Sequence, residues 1–109
     1  MFNADTFKKM KKTAYIINTA RGPIINELDL IEALENGEIA GAGLDVLTSD
    51  SVDMSNPLLK MNNVIITPHA AWYSEESIVT RRKQTIESVI TVLEGGEPFS
   101  LINRKQLGL

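Results

Sequence analysis

The chain has 109 residues, 43% of them hydrophobic and 23% charged, and its 14 Asp+Glu against 11 Lys+Arg give a formal net charge of -3. That is the length of at most one ordinary domain, and the balance of residues excludes collagenous, low-complexity and disordered chains. The acidic balance argues against direct binding to nucleic acid or an anionic membrane, no apolar run approaches the ~20 residues of a bilayer span, and the lack of cysteine excludes disulfides, thiolate metal sites and a thiol nucleophile.

Asn3 is placed to cap a first helix carrying Ala4, Phe7 and Met10, with Lys8, Lys9, Lys11 and Lys12 toward its carboxyl end. Residues 14–18, short, apolar and β-branched, read as a buried strand. Thr19 to Pro23 form a loop around Gly22 and Pro23. Asn26 caps a second helix, with Leu28, Ile31 and Leu34 on one face and Gly37 as its stop. Residues 40–46 read as a second strand, whose glycines point to a close approach by a helix or ligand.

Thr48 to Pro57 are a polar loop, and residues 64–67 a third buried strand that Pro68 ends. Ser74, followed by Glu75 and Glu76, begins a long helix that Gly95 and Gly96 stop. Val79, Ile86, Val89, Ile90 and Leu93 follow helical spacing on it, but Thr80 to Thr85 are all polar. The order α-β-α-β-β-α, with near-continuous apolar strands, predicts an α/β fold: a doubly wound parallel sheet of about three strands, covered by helices on both faces. Such sheets bind ligands at the carboxyl ends of their strands.

The polar residues of chemical interest all follow a strand. His69, the sole histidine, comes directly after the third and has the titration range for proton transfer, although a lone histidine is more often structural. Arg21 follows the first strand and offers a two-pronged donor to a carboxylate; its plain alternative is a solvated loop arginine. Asp45 closes the second strand, where it serves either a ligand or nearby backbone N–H groups. Asp50 lies five residues on, in the polar loop. Taken singly each is unremarkable, but all four converge on one edge of one sheet. A carboxylate holding one nitrogen of the imidazole there fixes its tautomer and raises its pKa, as an acid catalyst needs.

Phe7-Lys8-Lys9-Met10-Lys11, Ile17-Asn18-Thr19-Ala20-Arg21-Gly22, residues 39–46 (Ile-Ala-Gly-Ala-Gly-Leu-Asp-Val) and Thr67-Pro68-His69-Ala70-Ala71 together resemble the D-isomer-specific 2-hydroxyacid dehydrogenases, in order and spacing, over essentially the whole chain. Residues 69–75 look most like the branch of the C-terminal binding proteins, transcriptional corepressors with the dehydrogenase fold. The resemblance implies a partial Rossmann-like sheet, NAD as cofactor with NADP not excluded, and a 2-oxo or 2-hydroxy acid as substrate. It implies that Arg21 holds the acid's carboxylate and polarises its carbonyl, and that His69 delivers the proton. Asp45 is implied to contact the nicotinamide carboxamide, with Thr19, Ala20 and Arg21 beside the ring. Asp50 stands where the family usually has glutamate as partner of the histidine, one methylene shorter. Trp72 either lines a pocket for an apolar substrate side chain or packs in the core.

The sequence contains no Gly-x-Gly-x-x-Gly turn, the element that sets backbone N–H groups against a pyrophosphate. The chain therefore reads as the C-terminal portion of a dehydrogenase. Residues 1–73 are expected to be the second half of a dinucleotide-binding domain, and 74–109 a long helix and tail returning toward a substrate domain. By itself the chain is expected to fold, to self-associate as a homodimer and to lack dehydrogenase activity. A cytoplasmic setting is expected, with no membrane, nucleic-acid or metal partner. A nucleotide-sensing, corepressor-like protein and a truncated self-associating product are the alternatives to an oxidoreductase.

Overall fold

A computed structural model describes residues 1–49 and 53–108. The chain divides into two compact units, Met1–Ala71 and Trp72–Leu109.

In the first unit the Asn3 side chain accepts from the Thr6 N–H at 3.1 Å, and the Thr6 hydroxyl oxygen accepts from the Asn3 N–H at 2.6 Å. This reciprocal pair starts helix α1 (Ala4–Phe7). The helix stops before Met10, short of the sequence expectation, and its continuation tightens into i→i+3 bonds from Lys9 to Thr6 and Met10 to Phe7. Lysines at 8, 9, 11 and 12 repel one another at helical spacing, which disfavours another α turn. Phe7 is fully buried.

Strands β1 (Tyr15–Asn18), β2 (Gly41–Leu44) and β3 (Val64–Ile66) form a parallel sheet in that order. Ile16, Ala42 and Val64 lie in one row, and Asn18, Leu44 and Ile66 in another, because period-2 alternation puts them all on the same face. That face packs on Phe7, Leu30, Ala33, Leu34, Ile39 and Leu58. The other face carries Tyr15, Ile17 and Ile65, which are 69%, 73% and 72% exposed. The expectation of a sheet covered on both faces is thus corrected for this unit: its helices all pack on one side.

Helix α2 (Glu27–Glu35) is capped by the Asn26 side chain, and Gly37 follows it with φ 62°. Its buried arc is Leu30, Ala33 and Leu34, the i, i+3, i+4 set. This arc turns Leu28 to the opposite side, so Leu28 is exposed where the sequence placed it inward. The long connection between β2 and β3 includes a 3-10 turn, Pro57–Lys60, capped by Asn56 and burying Leu58. This turn was not expected from the sequence; it fills the place of a crossover helix over the sheet.

In the second unit, Ser74 and Ser77 form a capping box for helix α3 (Glu75–Leu93), and Gly95 follows it with φ 79°. No residue of α3 is buried. A short helix α4 (Arg104–Leu107), absent from the sequence expectation, follows an ion pair between Glu97 and Arg104. Among the described residues no helix is long and apolar enough to cross a membrane.

Candidate functional site

The parallel ladder continues one step beyond its strands. The Asp45 N–H donates to the Asn18 carbonyl at 2.9 Å, the Thr67 N–H to the Leu44 carbonyl at 2.9 Å, and the His69 N–H to the Asp45 carbonyl at 3.0 Å. These bonds set the segments leaving β1, β2 and β3 side by side at the carboxyl edge of the sheet. Thr19, Ala20, Arg21, Asp45 and His69 all lie on those segments. Asp50, the fourth residue of the expected acid–base group, lies outside the described residues.

Asn18 ends β1 pointing inward and is 5% exposed. Its amide donates to the Arg21 carbonyl at 2.9 Å and its oxygen accepts from the Ala20 N–H at 3.1 Å. A buried amide must be satisfied, so this one side chain braces the whole Thr19-Ala20-Arg21 turn. Arg21 is exposed, and its Nη1 donates to the Ala20 carbonyl at 2.7 Å. A guanidinium has five N–H donors in a rigid fork, so four others remain for an anion. Gly22 is buried beneath Leu47: a Cβ there would stand 1.9 Å from the Leu47 carbonyl oxygen.

Asp45, 4% exposed, is the most engaged side chain of the edge. Its Oδ1 accepts from the Thr67 hydroxyl at 2.5 Å and the Ala70 N–H at 2.8 Å, and its Oδ2 accepts from the Ala71 N–H at 2.9 Å. The Thr67 hydroxyl bond above all, then the Ala71 and Ala70 N–H groups and the charge of His69, hold its carboxyl below the ordinary range against the opposing effect of burial. Asp45 is therefore an anion at neutral pH and serves the backbone, one of the two roles its position allows. It ties down the loop that carries His69.

His69 has φ 53°, the only positive φ outside glycine among the described residues. A non-glycine residue in the left-handed region costs about 1–3 kcal/mol and persists where its surroundings over-determine it. Here two main-chain acceptors share the His69 N–H, Asp45 and Thr67, each at 3.0 Å. The imidazole is exposed. An open cleft of about 520 Å³ borders the site, with Asp45, Leu47, Leu59, Ile66, Thr67 and His69 among its lining residues. From α2, Glu27 accepts from the Thr48 N–H at 2.9 Å and from the Asn56 amide at 2.7 Å, fastening the two ends of the polar loop after β2.

Trp72 belongs to the second unit. It is 45% exposed rather than packed in a core, stands edge-to-face on Tyr73 at 5.4 Å, and carries the Arg81 guanidinium 4.4 Å above its ring. Sequence reasoning passed over Asn18, Thr67 and Glu27. The first carries a signal of its own, being a polar side chain at an inward position of an apolar strand.

The donor set fits the amide end of a nicotinamide dinucleotide. A carboxylate oxygen has two acceptor positions, and Asp45 Oδ2 engages one N–H, which leaves a fixed anionic acceptor for an amide donor beside the braced Thr19-Ala20 turn. Next to these stand a cation able to fork a carboxylate and an imidazole able to transfer a proton.

Residues 1–71 match the profile of the D-isomer specific 2-hydroxyacid dehydrogenase, NAD binding domain. A glyoxylate reductase of Thermofilum pendens is 40% identical over 107 residues, covering 98% of this chain and 32% of its own length. The structure of a D-isomer specific 2-hydroxyacid dehydrogenase from Lactobacillus delbrueckii ssp. bulgaricus in its NAD-complexed form is 41% identical. It superposes with a TM-score of 0.80 over 94% of this chain and 35% of that one. A family protein of Xanthobacter autotrophicus, in complex with NADPH and MES, gives a TM-score of 0.83 at 32% identity over 96% of this chain and 43% of its own. The chain spans about a third of the length of the curated relatives it matches.

Proposed function

The chain belongs to the D-isomer specific 2-hydroxyacid dehydrogenase family, and on that premise we propose that it is the carboxyl-terminal, acid–base side of an NAD-dependent oxidoreductase interconverting 2-oxo acids and D-2-hydroxy acids. When bound, the nicotinamide dinucleotide supplies or accepts the hydride. Asp45 and the main chain of Thr19 and Ala20 hold its carboxamide. Arg21 forks the substrate carboxylate with two parallel N–H donors and polarises the neighbouring carbonyl. His69, as imidazolium, donates its proton to the carbonyl oxygen during reduction and takes it back during oxidation. Asp50 holds the other imidazole nitrogen, and Trp72 lines the substrate side-chain pocket. In this reading residues 1–73 complete a dinucleotide-binding domain, 74–109 lead back to a substrate domain, and the protein works as a cytoplasmic homodimer.

The observation that carries the proposal is the meeting of the Arg21 and His69 segments on one ladder, with His69 held in a strained backbone conformation. NADH oxidation by the protein expressed from its complete reading frame, against a panel of 2-oxo acids, tests it. His69→Ala is expected to lower kcat by roughly 10²–10⁴-fold while NADH affinity holds. Unimpaired turnover in that variant refutes the acid–base role of His69; NADH binding without turnover of any 2-oxo acid by the unaltered protein refutes the oxidoreductase assignment. The second result leaves a nucleotide-sensing protein.

A further inference from the structure

We propose that Thr67 is a positioning residue for His69, acting through Asp45: the Thr67 hydroxyl and the Asp45 carboxylate form a clamp that holds the His69 backbone in its left-handed conformation and so aims the imidazole. The inference rests on the acid–base role proposed for His69 and adds a residue to which that role assigns nothing.

The clamp grips the loop on both sides of its apex. Thr67, two residues before His69, donates its hydroxyl to Asp45 Oδ1; Ala70 and Ala71, one and two residues after, donate their N–H groups to Oδ1 and Oδ2. The His69 N–H meanwhile donates to the main-chain carbonyls of Asp45 and Thr67. One residue of β2's exit therefore fixes four of the five residues 67–71, and Pro68 removes a further degree of freedom by locking its own φ. The backbone conformation of His69 fixes where its Cα–Cβ bond points and so the position from which the ring reaches out. Loss of the Thr67 hydroxyl bond removes one restraint on this conformation, and relaxation of His69 toward negative φ swings the Cβ away from its present line.

Within the clamp Thr67 is the separable part. Asp45 also borders the proposed carboxamide site, so its replacement disturbs two functions. The Thr67 hydroxyl makes one bond to one carboxylate oxygen, and its side chain lies in an exposed residue. Thr67→Val keeps the branched shape and removes the donor. The hydroxyl need not touch substrate to matter: a displacement of about 1 Å in a catalytic group is enough to cost on the order of 10²-fold in rate.

The test uses the protein from its complete reading frame, with thermal melting to confirm that each variant is folded at the assay temperature. Thr67→Val and Thr67→Ala are both expected to lower kcat by roughly 10–100-fold, with the KM for the 2-oxo acid, set by Arg21, little changed. Thr67→Ser, which retains the hydroxyl, is expected to restore turnover. In a His69→Ala background Thr67→Val is expected to cause no further loss, because a residue that acts only through His69 has nothing left to position. Wild-type kcat in both Thr67→Val and Thr67→Ala overturns the inference. So does failure of Thr67→Ser to restore turnover, or an equal loss from Thr67→Val with and without His69. If His69→Ala itself retains full turnover, the acid–base role fails first and takes the clamp's purpose with it.

Discussion

Gly22→Ala is the sharpest perturbation available at the base of the site. The added Cβ would lie 1.9 Å from the Leu47 carbonyl oxygen, 2.2 Å from its carbon and 2.7 Å from the Thr48 nitrogen, and all three are main-chain atoms. Real Cβ atoms essentially never approach within 3.0 Å, so the Arg21 turn and the segment after β2 must part by more than an ångström. No rotamer change relieves this. Forced backbone movement of this kind costs about 1–3 kcal/mol. The movement also pulls at the Thr48 N–H bond to Glu27, whose loss is worth about 1 kcal/mol more. A loss of roughly 2–4 kcal/mol is a large part of the 5–15 kcal/mol that holds a small domain together. Urea unfolding of the wild-type and Gly22→Ala chains, followed by far-UV circular dichroism, measures it directly. In the complete protein the same variant should raise the KM for 2-oxo acids, because Arg21 is the neighbouring residue and moves with the turn. Stability within about 0.5 kcal/mol of wild type, the scatter of an ordinary surface substitution, would refute the packing argument.

Gly43→Ala is the control: its Cβ would meet only the Ile17 side chain, at 3.6 Å, so the chain should lose no stability, and a loss comparable to that of Gly22→Ala would contradict the packing described above. Arg21→Lys in the complete protein should raise the KM for 2-oxo acids by roughly tenfold or more, since an ammonium cannot fork a carboxylate; unchanged kinetics would return Arg21 to a solvated loop residue. Asp45 has a folded-state pKa below its usual 3.8, so the native state binds fewer protons than the unfolded chain. Its contribution to stability is fully present above pH 3.8 and fades as the pH falls through the folded value; Asp45→Asn should flatten that acid limb of the urea midpoint, although Asp53 and Glu76, lowered in the same direction, keep some slope. Light scattering on the 109-residue chain should show a concentration-dependent dimer, given the exposed Tyr15, Ile17 and Ile65 face and the outer edge of β1, unpaired among the described residues; Ile17→Lys should weaken it, and a monomer at all concentrations would exclude that surface as an interface.

Capping chemistry is what made the elements legible. Asn3, Asn26 and Ser74 each accept from a backbone N–H at the start of a helix, and Gly37 and Gly95 follow their helices with positive φ. These signals are local, and local readings carry over from sequence to structure. Which way α2 faces is set by the sheet beneath it, so the same residues that announce a helix cannot say whether Leu28 or Leu30 turns inward. The bare sheet face has a similar cause. Period-2 burial tells which side chains share a face, but the covering layer comes from elsewhere, and α1 and α2 both lie on the Ile16–Leu44 side.

The candidate site divides along the same line. Positions after strand ends were enough to bring Arg21, Asp45 and His69 together, because a parallel sheet delivers every strand's carboxyl end to one edge. The long-range bracing was not legible, since it depends on pairs 22 to 29 residues apart in the chain: Thr67 on Asp45, and Asn56 on Glu27. An aspartate closing a buried strand admits two readings from sequence, toward a ligand or toward the backbone. The fold gives Asp45 three donors from one loop, yet leaves an acceptor position on Oδ2. The two readings are therefore compatible in one side chain. An anion that anchors the His69 loop and also accepts an amide N–H places the imidazole and the nicotinamide on a common reference point. A proton donor and a hydride carrier must address adjacent atoms of one substrate carbonyl. In the proposed enzyme, sharing Asp45 would tie their separation to a single residue of the sheet edge instead of to two independent loops.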